Sequence, residues 1–414
     1  MSEMQGGHQI ELLQGTAQWA PAMRQAIDAA RTQVLLETYI FDLTGVGSTL
    51  ADTLADAAQR GVQVQLMMDG VGTPALPLPW VQRFAAAGVQ WHRYAPLGRL
   101  GLLIPSRWRR LHRKLCVVDG RVAFCGGINV LDDLHDPNHG ALTHPRLDFA
   151  VQVQGPLVRE VQQAMLSLWW RTRAARAARE RNFSAALQSL QQAPFWPPRA
   201  SPALGPPAEA SPQRMHSTSL VVAQVIFRDN LRHRREIEQA YLKAIGQAKR
   251  EVLIANAYFL PGRRLRRALT LAAQRGVRVQ LLLQGRYEYF MQYHASRPVY
   301  GALLAHGVHI HEYARSFMHA KVAVVDAGTD AAWATVGSSN LDPLSLLLAR
   351  EANVVVRDSA FASNLRSQLV QAMQAHGHAI DAQYYARRSR WVRMVDWLAY
   401  GLMRFALFVT GKRY

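Results

Sequence analysis

The chain has few cysteines, few acidic residues and no long apolar run, and each shortage excludes something. Its 414 residues include two cysteines, Cys116 and Cys125. Both sit in apolar, strand-like segments, where a buried structural thiol is the default, and no Cys/His metal-binding spacing is present. Neither a disulfide framework nor a metal site is expected. Only 29 acidic residues face 48 Lys and Arg, a net charge of +19. That surplus attracts something anionic: nucleic acid, an acidic membrane surface or a phosphorylated substrate. No apolar run reaches the roughly 20 residues that span a bilayer. The longest candidate, residues 395–411, is broken by Asp396 and Arg404. The opening residues, MSEMQGGHQIELLQG, have neither the basic nor the apolar region of a secretory signal. A cytoplasmic chain, or one attached to a membrane from that side, is expected.

Proline is concentrated in one place. Residues 191–214, QQAPFWPPRASPALGPPAEASPQR, hold seven of the nineteen prolines, a density that excludes helix or central strand and reads as an extended linker. It divides the chain into residues 1–190 and 215–385, with a C-terminal segment at 386–414. At this length each half can build its own core. The basic stretch WWRTRAARAARERN, residues 169–182, reads as a helix closing the first half, either solvated or facing an anionic surface.

The two halves repeat each other. RTQVLLETYIF (31–41) matches KREVLIANAYF (249–259), and AAQRGVQVQLMMDG (57–70) matches AAQRGVRVQLLLQG (272–285). FAAAGVQWHRY (84–94) then matches LLAHGVHIHEY (303–313), and LDFAVQVQG (147–155) matches REANVVVRD (350–358). Matches in the same order mean duplication. Each copy alternates helical segments with apolar strands, the pattern of βαβ units, so each half is expected to be an α/β/α sandwich with a mixed, mostly parallel sheet. VVDGRVAF departs from that pattern: Asp-Gly between β-branched runs favours a tight hairpin.

Between the third and fourth matches lies a chemical one. LHRKLCVVDGRVAFCGGIN and MHAKVAVVDAGTDAAWATVGSSN place His112, Lys114 and Asp119, and then His319, Lys321 and Asp326, in the same H-x-K-x4-D spacing. Each is followed by Gly-Gly or Gly-Ser and an asparagine, Asn129 or Asn340. Alternate residues on a strand share a face, so His and Lys of each copy project together. One such spacing arises often by chance; two at equivalent points of a duplication make a paired site. Asp119 and Asp326 fall at turns, where they are expected to hold the geometry. The second copy has a longer stretch after its aspartate, around AGTDAA, expected to lengthen a surface hairpin.

The doubled motif resembles the phospholipase D superfamily, in which two such half-motifs meet across a pseudo-twofold interface and build one active site. The resemblance implies metal-free phosphodiester chemistry with no cofactor. One imidazole attacks phosphorus and forms a phosphohistidine, while the other protonates the leaving alcohol and deprotonates the incoming one. By resemblance His112 attacks and His319 is the acid/base, an order the residues themselves do not settle. Lys114, Lys321, Asn129 and Asn340 would stabilise charge on the phosphate oxygens. A histidine nucleophile needs a group fixing its other nitrogen, and resemblance assigns this to Asp148 and Glu351, which match in the repeat.

VLLETYIF, VLIANAYFLPG, HAKVAVVD and TVGSSNLDPLSLLLAREANV further resemble the bacterial cardiolipin synthases, and the absence of N-terminal transmembrane helices points to their shorter B branch. That implies phosphatidyl transfer between two phosphatidylglycerols with release of glycerol. A hydrolytic phospholipase D and a nuclease remain the alternatives. Peripheral attachment to the cytoplasmic face of a bacterial inner membrane is expected, with phosphatidylglycerol and anionic lipids as partners, nucleic acid disfavoured and any protein partner unassigned. Three features suit lipid. The apolar, aromatic and basic run ending in Arg107, Trp108, Arg109 and Arg110 lies just before His112. Four tyrosines and a phenylalanine crowd residues 286–300, read as a loop. In the C-terminal segment, seven basic residues face one acid from Arg387 on. There Trp391, Val395, Leu398, Leu402, Phe405 and Val409 would line one apolar face of an interfacial helix, with Arg393, Asp396 and Arg404 largely elsewhere.

Overall fold

A computed structural model describes residues 3–98, 108–137, 139–194, 221–229, 233, 235–287, 290–342 and 349–409. Most of the proline-rich segment, Arg107 and most of the apolar loop before it lie outside the described residues.

The first half contributes β1 (Gln5–Gln14), β2 (Gln33–Thr38), β3 (Gln63–Asp69), β4 (Gln90–Tyr94), β5 (Arg110–Leu111), β6 (Lys114–Val118), β7 (Val122–Gly126), a short hairpin of β8 (His135–Asp136) and β9 (Gly140–Ala141), and β10 (Phe149–Gln154). The second contributes β11 (Val221–Arg228), β12 (Glu251–Asn256), β13 (Arg278–Gln284), β14 (His309–Tyr313), β15 (Lys321–Val325), β16 (Trp333–Gly337), β17 (Ala349–Arg357) and β18 (Gly377–Ala379). Helices Gly15–Asp28, Val46–Gln59 and Leu78–Ala87 lead into β2, β3 and β4, and helices Glu236–Gln247, Arg263–Gln274 and Phe290–Leu304 lead into β12, β13 and β14.

The mixed α/β architecture in two related halves is as expected, with two differences. The halves do not keep separate sheets. They join edge to edge into one 16-stranded sheet, in the order β18-β14-β13-β12-β15-β16-β17-β11-β1-β10-β7-β6-β2-β3-β4, with β5 pairing with β17 off this path. Apart from the edge strand β18, the order is a palindrome about the antiparallel β1–β11 pair, which marks the pseudo-twofold axis. Nor is the sheet mostly parallel. Parallel pairing is confined to β2–β3–β4, β12–β13–β14 and the small β5–β17 contact. Helical crossovers demand parallel neighbours only where they occur; the motif strands and those flanking them are joined by hairpins or reversing connections and pair antiparallel.

Three large cores and a small cluster of Met67, Leu111, Leu168 and Trp169 follow from this arrangement. Val34, Leu54, Leu66 and Phe84 belong to the first half's outer core, and Val252, Leu269, Leu281 and Leu303 to the second's. A central core draws on both, including Phe149, Val161, Val225, Val324, Val354 and Leu365. Cys116 and Cys125 are buried and unbridged on neighbouring strands. They serve different cores, on opposite faces of the sheet, so they cannot meet.

The C-terminal helix Arg390–Val409 packs on the second half and still exposes an apolar face. Asp396, Ala399 and Met403 are buried, and Asp396 accepts from His294 Nδ1 at 2.7 Å and from Arg388 at 2.9 Å. Trp391, Trp397, Leu398, Leu402 and Phe405 are exposed. Residues 290–304 form a helix where a loop was expected. Within it Tyr293 and Tyr300 stack on Arg297, 4.1 and 5.0 Å from its guanidinium, so these two tyrosines pack internally, while Tyr287 and Phe290 are exposed. Tyr289 lies outside the described residues.

The motif aspartates occupy a structural position. Asp119 and Asp326 both adopt positive φ, 52° and 48°, where Asp is among the few tolerated residues. Asp119 accepts from the backbone N–H groups of Arg31, Thr32 and Gln33 and from the Thr32 hydroxyl, all at 2.8–2.9 Å. Asp326 accepts from the N–H groups of Lys249, Arg250 and Glu251 at 2.7–2.9 Å. Each carboxylate thus ties its motif hairpin to the start of the neighbouring strand. Burial pushes the Asp119 carboxyl up, but these hydrogen bonds outweigh it and hold it below its ordinary value. Asp326→Ala is expected to cost about 1.5–3 kcal/mol or more, the worth of at least one hydrogen bond to a charged group, read as a lower urea midpoint at unchanged slope.

Candidate active site

The strands carrying the two motifs end at the seam between the halves. The Arg110–Leu111 segment runs parallel to Ala349–Arg350, and His112 donates its backbone N–H to Arg350 O at 3.1 Å. Symmetrically, Leu147 bridges Met318, and His319 donates its N–H to Leu147 O at 2.9 Å. Each histidine is therefore held by the segment of the other half that carries the next carboxylate, and the side chains follow. His112 Nδ1 lies 3.1 Å from both Glu351 oxygens. His319 Nδ1 lies 2.7 Å from Asp148 Oδ2. The ring centroids are 6.4 Å apart. The imidazoles keep 16 % and 23 % exposure while Glu351 and Asp148 keep 0 % and 4 %, so a ligand can reach the rings but not the carboxylates.

Lys114 and Lys321 are buried beside them, each ammonium donating to the carbonyl of the histidine two residues earlier, Lys114 at 2.7 Å. Asn129 accepts from Ile40 N–H at 3.2 Å, and Asn340 is buried with its Oδ1 unpaired. The structure thus gathers His112, Lys114, Asp148, His319, Lys321 and Glu351 in one place, and sets Asp119 and Asp326 at the far ends of the motif strands. Arg110, expected to face lipid, turns inward: its guanidinium meets Asp69 at 3.2 Å and Ala95 O at 2.9 Å. A positive charge this close to a buried carboxylate is drawn to it rather than to solvent. Trp108 and Arg109 are half-buried, and Arg107 lies outside the described residues.

Several neighbours escaped the sequence reading. Asp69 Oδ2 accepts from Leu111 N–H at 2.7 Å and Gln284 Oε1 from Met318 N–H at 3.1 Å. Each thus fixes the residue before its histidine. Both close matched apolar strands, VQLMMD and VQLLLQ, and a polar residue ending such a strand was the available signal. Tyr39 lies 4.9 Å from the His112 ring and 5.5 Å from the Lys114 ammonium, whereas its repeat counterpart is Ala257. Arg113 makes a buried two-pronged pair with Glu37, one contact at 2.8 Å, where the second half has Ala320 and Ala255.

The Gly-Gly and Gly-Ser turns set the electrostatics. A Cβ at Gly127 would lie 2.2 Å from Asp148 Oδ1, so only glycine admits that carboxylate. Its counterpart Ser338 donates its hydroxyl to Glu351 Oε2 at 2.5 Å. Burial raises both carboxyls, but with opposite results. For Glu351 the His112 contact, Lys114 and the Ser338 hydroxyl prevail and hold it below its ordinary value. Asp148 has no such hydroxyl, and burial lifts it to about 7 against the pull of Lys321. Burial also lowers His112, against the pull of Glu351, and lowers His319 well below the usual range with help from Lys321 and Lys114. Lys114 falls to about 7, chiefly by burial. Two near-identical half-sites thus carry different proton affinities, the arrangement needed by a pair dividing acid and base roles. Among the described residues no cluster of His, Cys, Asp and Glu is placed to hold a metal ion.

Comparisons with known proteins agree with this geometry. The family described as "Cardiolipin synthase, PLD-like domain" matches residues 23–144 and 241–373. Cardiolipin synthase B of Escherichia coli K12 is 37% identical over 405 residues, covering 98% of this chain and 90% of that protein. Cardiolipin synthase A of a Klebsiella pneumoniae strain is 27% identical over 395 residues, covering 95% and 75%. Among solved structures, phosphatidylserine synthase of Haemophilus influenzae Rd KW20 shares the fold with a TM-score of 0.64 at 12% identity, covering 97% of this chain and 94% of that one.

The two carboxylates are expected to affect stability in opposite directions. Glu351, held below its ordinary value near 4.3, contributes stability present above that pH and lost as pH falls through the lowered value. Asp148, raised to about 7, costs the folded state once ionised, and the cost is complete above about 7. Glu351→Gln should therefore lower the unfolding free energy at pH 8, and Asp148→Asn should raise it. Denaturant titrations at pH 8 check this; a loss in both variants would contradict the asymmetry.

Proposed function

Since the chain belongs to the cardiolipin synthase family with its phospholipase D-like domains, we propose that it is a phosphatidyltransferase that makes cardiolipin from two phosphatidylglycerols. The observation that carries this is the crossed pair of histidine–carboxylate contacts beside two buried lysines. In the first step His112 Nε2 attacks the phosphorus of one phosphatidylglycerol. The bond from phosphorus to the headgroup glycerol breaks, His319 supplies the proton, and glycerol leaves. In the second, the free hydroxyl of another phosphatidylglycerol gives its proton to His319 and attacks phosphorus, breaking the bond to His112. Lys114 and Lys321, with Asn129 and Asn340 as donors, stabilise the phosphate oxygens.

The electrostatics distinguish the two pairs. Glu351 stays ionised and draws the proton to His112 Nδ1, leaving Nε2 a free lone pair. Asp148, lifted to about 7, lets the His319 pair exchange a proton near neutrality. The aspartates Asp119 and Asp326 act only by holding the motifs.

The same reading includes peripheral attachment to an anionic membrane. No helix among the described residues is long and apolar enough to cross one. The exposed apolar face of Arg390–Val409, flanked by Arg393 and Arg404, suits a lipid interface, as does the net charge of +19. The cytoplasmic face of the inner membrane is the leaflet that supplies phosphatidylglycerol to such a protein.

Incubating purified protein with phosphatidylglycerol vesicles should yield cardiolipin and glycerol. His112→Ala or His319→Ala should each lower turnover by at least about 10³-fold, because residues acting as a unit fail together. Phosphatidic acid alone would instead establish hydrolysis, and DNA cleavage without lipid turnover would establish a nuclease. In a co-sedimentation assay, the double variant Leu398→Glu, Phe405→Glu should bind these vesicles at least about a hundredfold more weakly, given the transfer energy of two exposed apolar side chains. Equal binding would remove the helix from the interface.

A further inference from the structure

The two half-sites treat a guanidinium differently. In the first half, residue 110 before the Leu-His pair is arginine, and buried Asp69 neutralises it at 3.2 Å. In the second half the counterpart of Arg110 is Phe317 and the counterpart of Asp69 is the uncharged Gln284. A guanidinium is present there too, but it comes from Arg286, whose counterpart is Val71. Arg286 lies 5.0 Å from the centroid of the Phe317 ring and has no carboxylate partner among the described residues. Each motif thus has a cation beside it, and among the described residues only the first is paired with a carboxylate.

That cation borders a cleft of about 310 Å³ between the halves. His139 and Thr143 of the first half face Arg286, Tyr287 and Phe317 of the second across it. The His139 ring stacks 4.9 Å from Phe317. The nearby acid, Asp136, is already engaged by Arg146 at 2.6 Å and by His139 at 2.9 Å, so it does not cancel the Arg286 charge. Phe317 is two residues from His319, which sets the cleft at the acid/base side of the centre.

We infer that this cleft holds the phosphodiester of the acceptor lipid, with Arg286 as its cation. The inference rests on the phosphatidyl-transfer reading and extends it. Transfer needs two anionic phosphates, and the reacting one occupies the gap between imidazoles 6.4 Å apart. The acceptor hydroxyl must lie at His319 to lose its proton, so its own phosphate falls one glycerol length away. A guanidinium is suited to that group, since its planar fork matches phosphate oxygens.

The test is a partition experiment on the full-length protein with phosphatidylglycerol vesicles and added ethanol, an acceptor without a phosphate. The phosphatidyl-histidine then divides between cardiolipin and phosphatidylethanol, and the product ratio is independent of how much enzyme is folded. Arg286→Gln should lower the ratio of cardiolipin to phosphatidylethanol on the order of tenfold, as expected for one lost charge-assisted contact. Arg286→Lys should recover part of it, since the charge remains without the fork. A wild-type ratio in Arg286→Gln would overturn the subsite while leaving the transfer reading intact. A wild-type protein that makes phosphatidylethanol but no cardiolipin would overturn both.

Discussion

The exchange of carboxylates across the seam is the constraint on which the site depends. His112 belongs to one half and its partner Glu351 to the other, and His319 and Asp148 repeat the trade in reverse. Neither half alone pairs its motif histidine with a carboxylate of its own. The β1–β11 pairing, the shared central core and the short parallel contacts at Arg110–Leu111 and Leu147–Met318 all keep the two imidazoles at 6.4 Å. The distance suits a phosphorus atom held between a nitrogen that attacks it and a nitrogen that moves protons, and it is set by the registration of a large sheet rather than by a flexible loop.

Duplication built a symmetric frame, and later substitutions made its two sides unequal. Ser338 keeps Glu351 ionised where Gly127 offers Asp148 no hydroxyl donor. Tyr39 covers His112 and Lys114 where the second half has Ala257. Glu37 and Arg113 form a buried ion pair where the second half has two alanines. Such a pair adds little stability over apolar residues but fixes a unique arrangement near the site. A two-step transfer asks one histidine to attack and the other to move protons, and equal environments could not divide those tasks.

The C-terminal helix shows how one element serves two surroundings. A single carboxylate, Asp396, sits 1 % exposed between His294 and Arg388, and the helix turns Trp391, Trp397, Leu398, Leu402 and Phe405 outward. Packing on the core and presenting an apolar face outward are compatible in this helix. The helix has room for both because its buried face and its exposed face are about half a turn apart.

The sequence alone determined the duplication, the two motifs, the turn positions of Asp119 and Asp326 and the α/β character of each half, because these are local spacings repeated in order. The β6–β7 hairpin was legible for the same reason: Asp-Gly tolerates the positive φ that a tight turn imposes. Only the tertiary structure decided that the halves share one sheet, that most of its ladder is antiparallel and that each carboxylate serves the other half's histidine. It also turned Arg110 inward and brought Asp69, Gln284, Tyr39 and Ser338 to the site. Strand partners and burial depend on contacts between residues far apart in the chain, so no spacing encodes them. The proton affinities follow from that burial, and they became readable only once the two halves were joined.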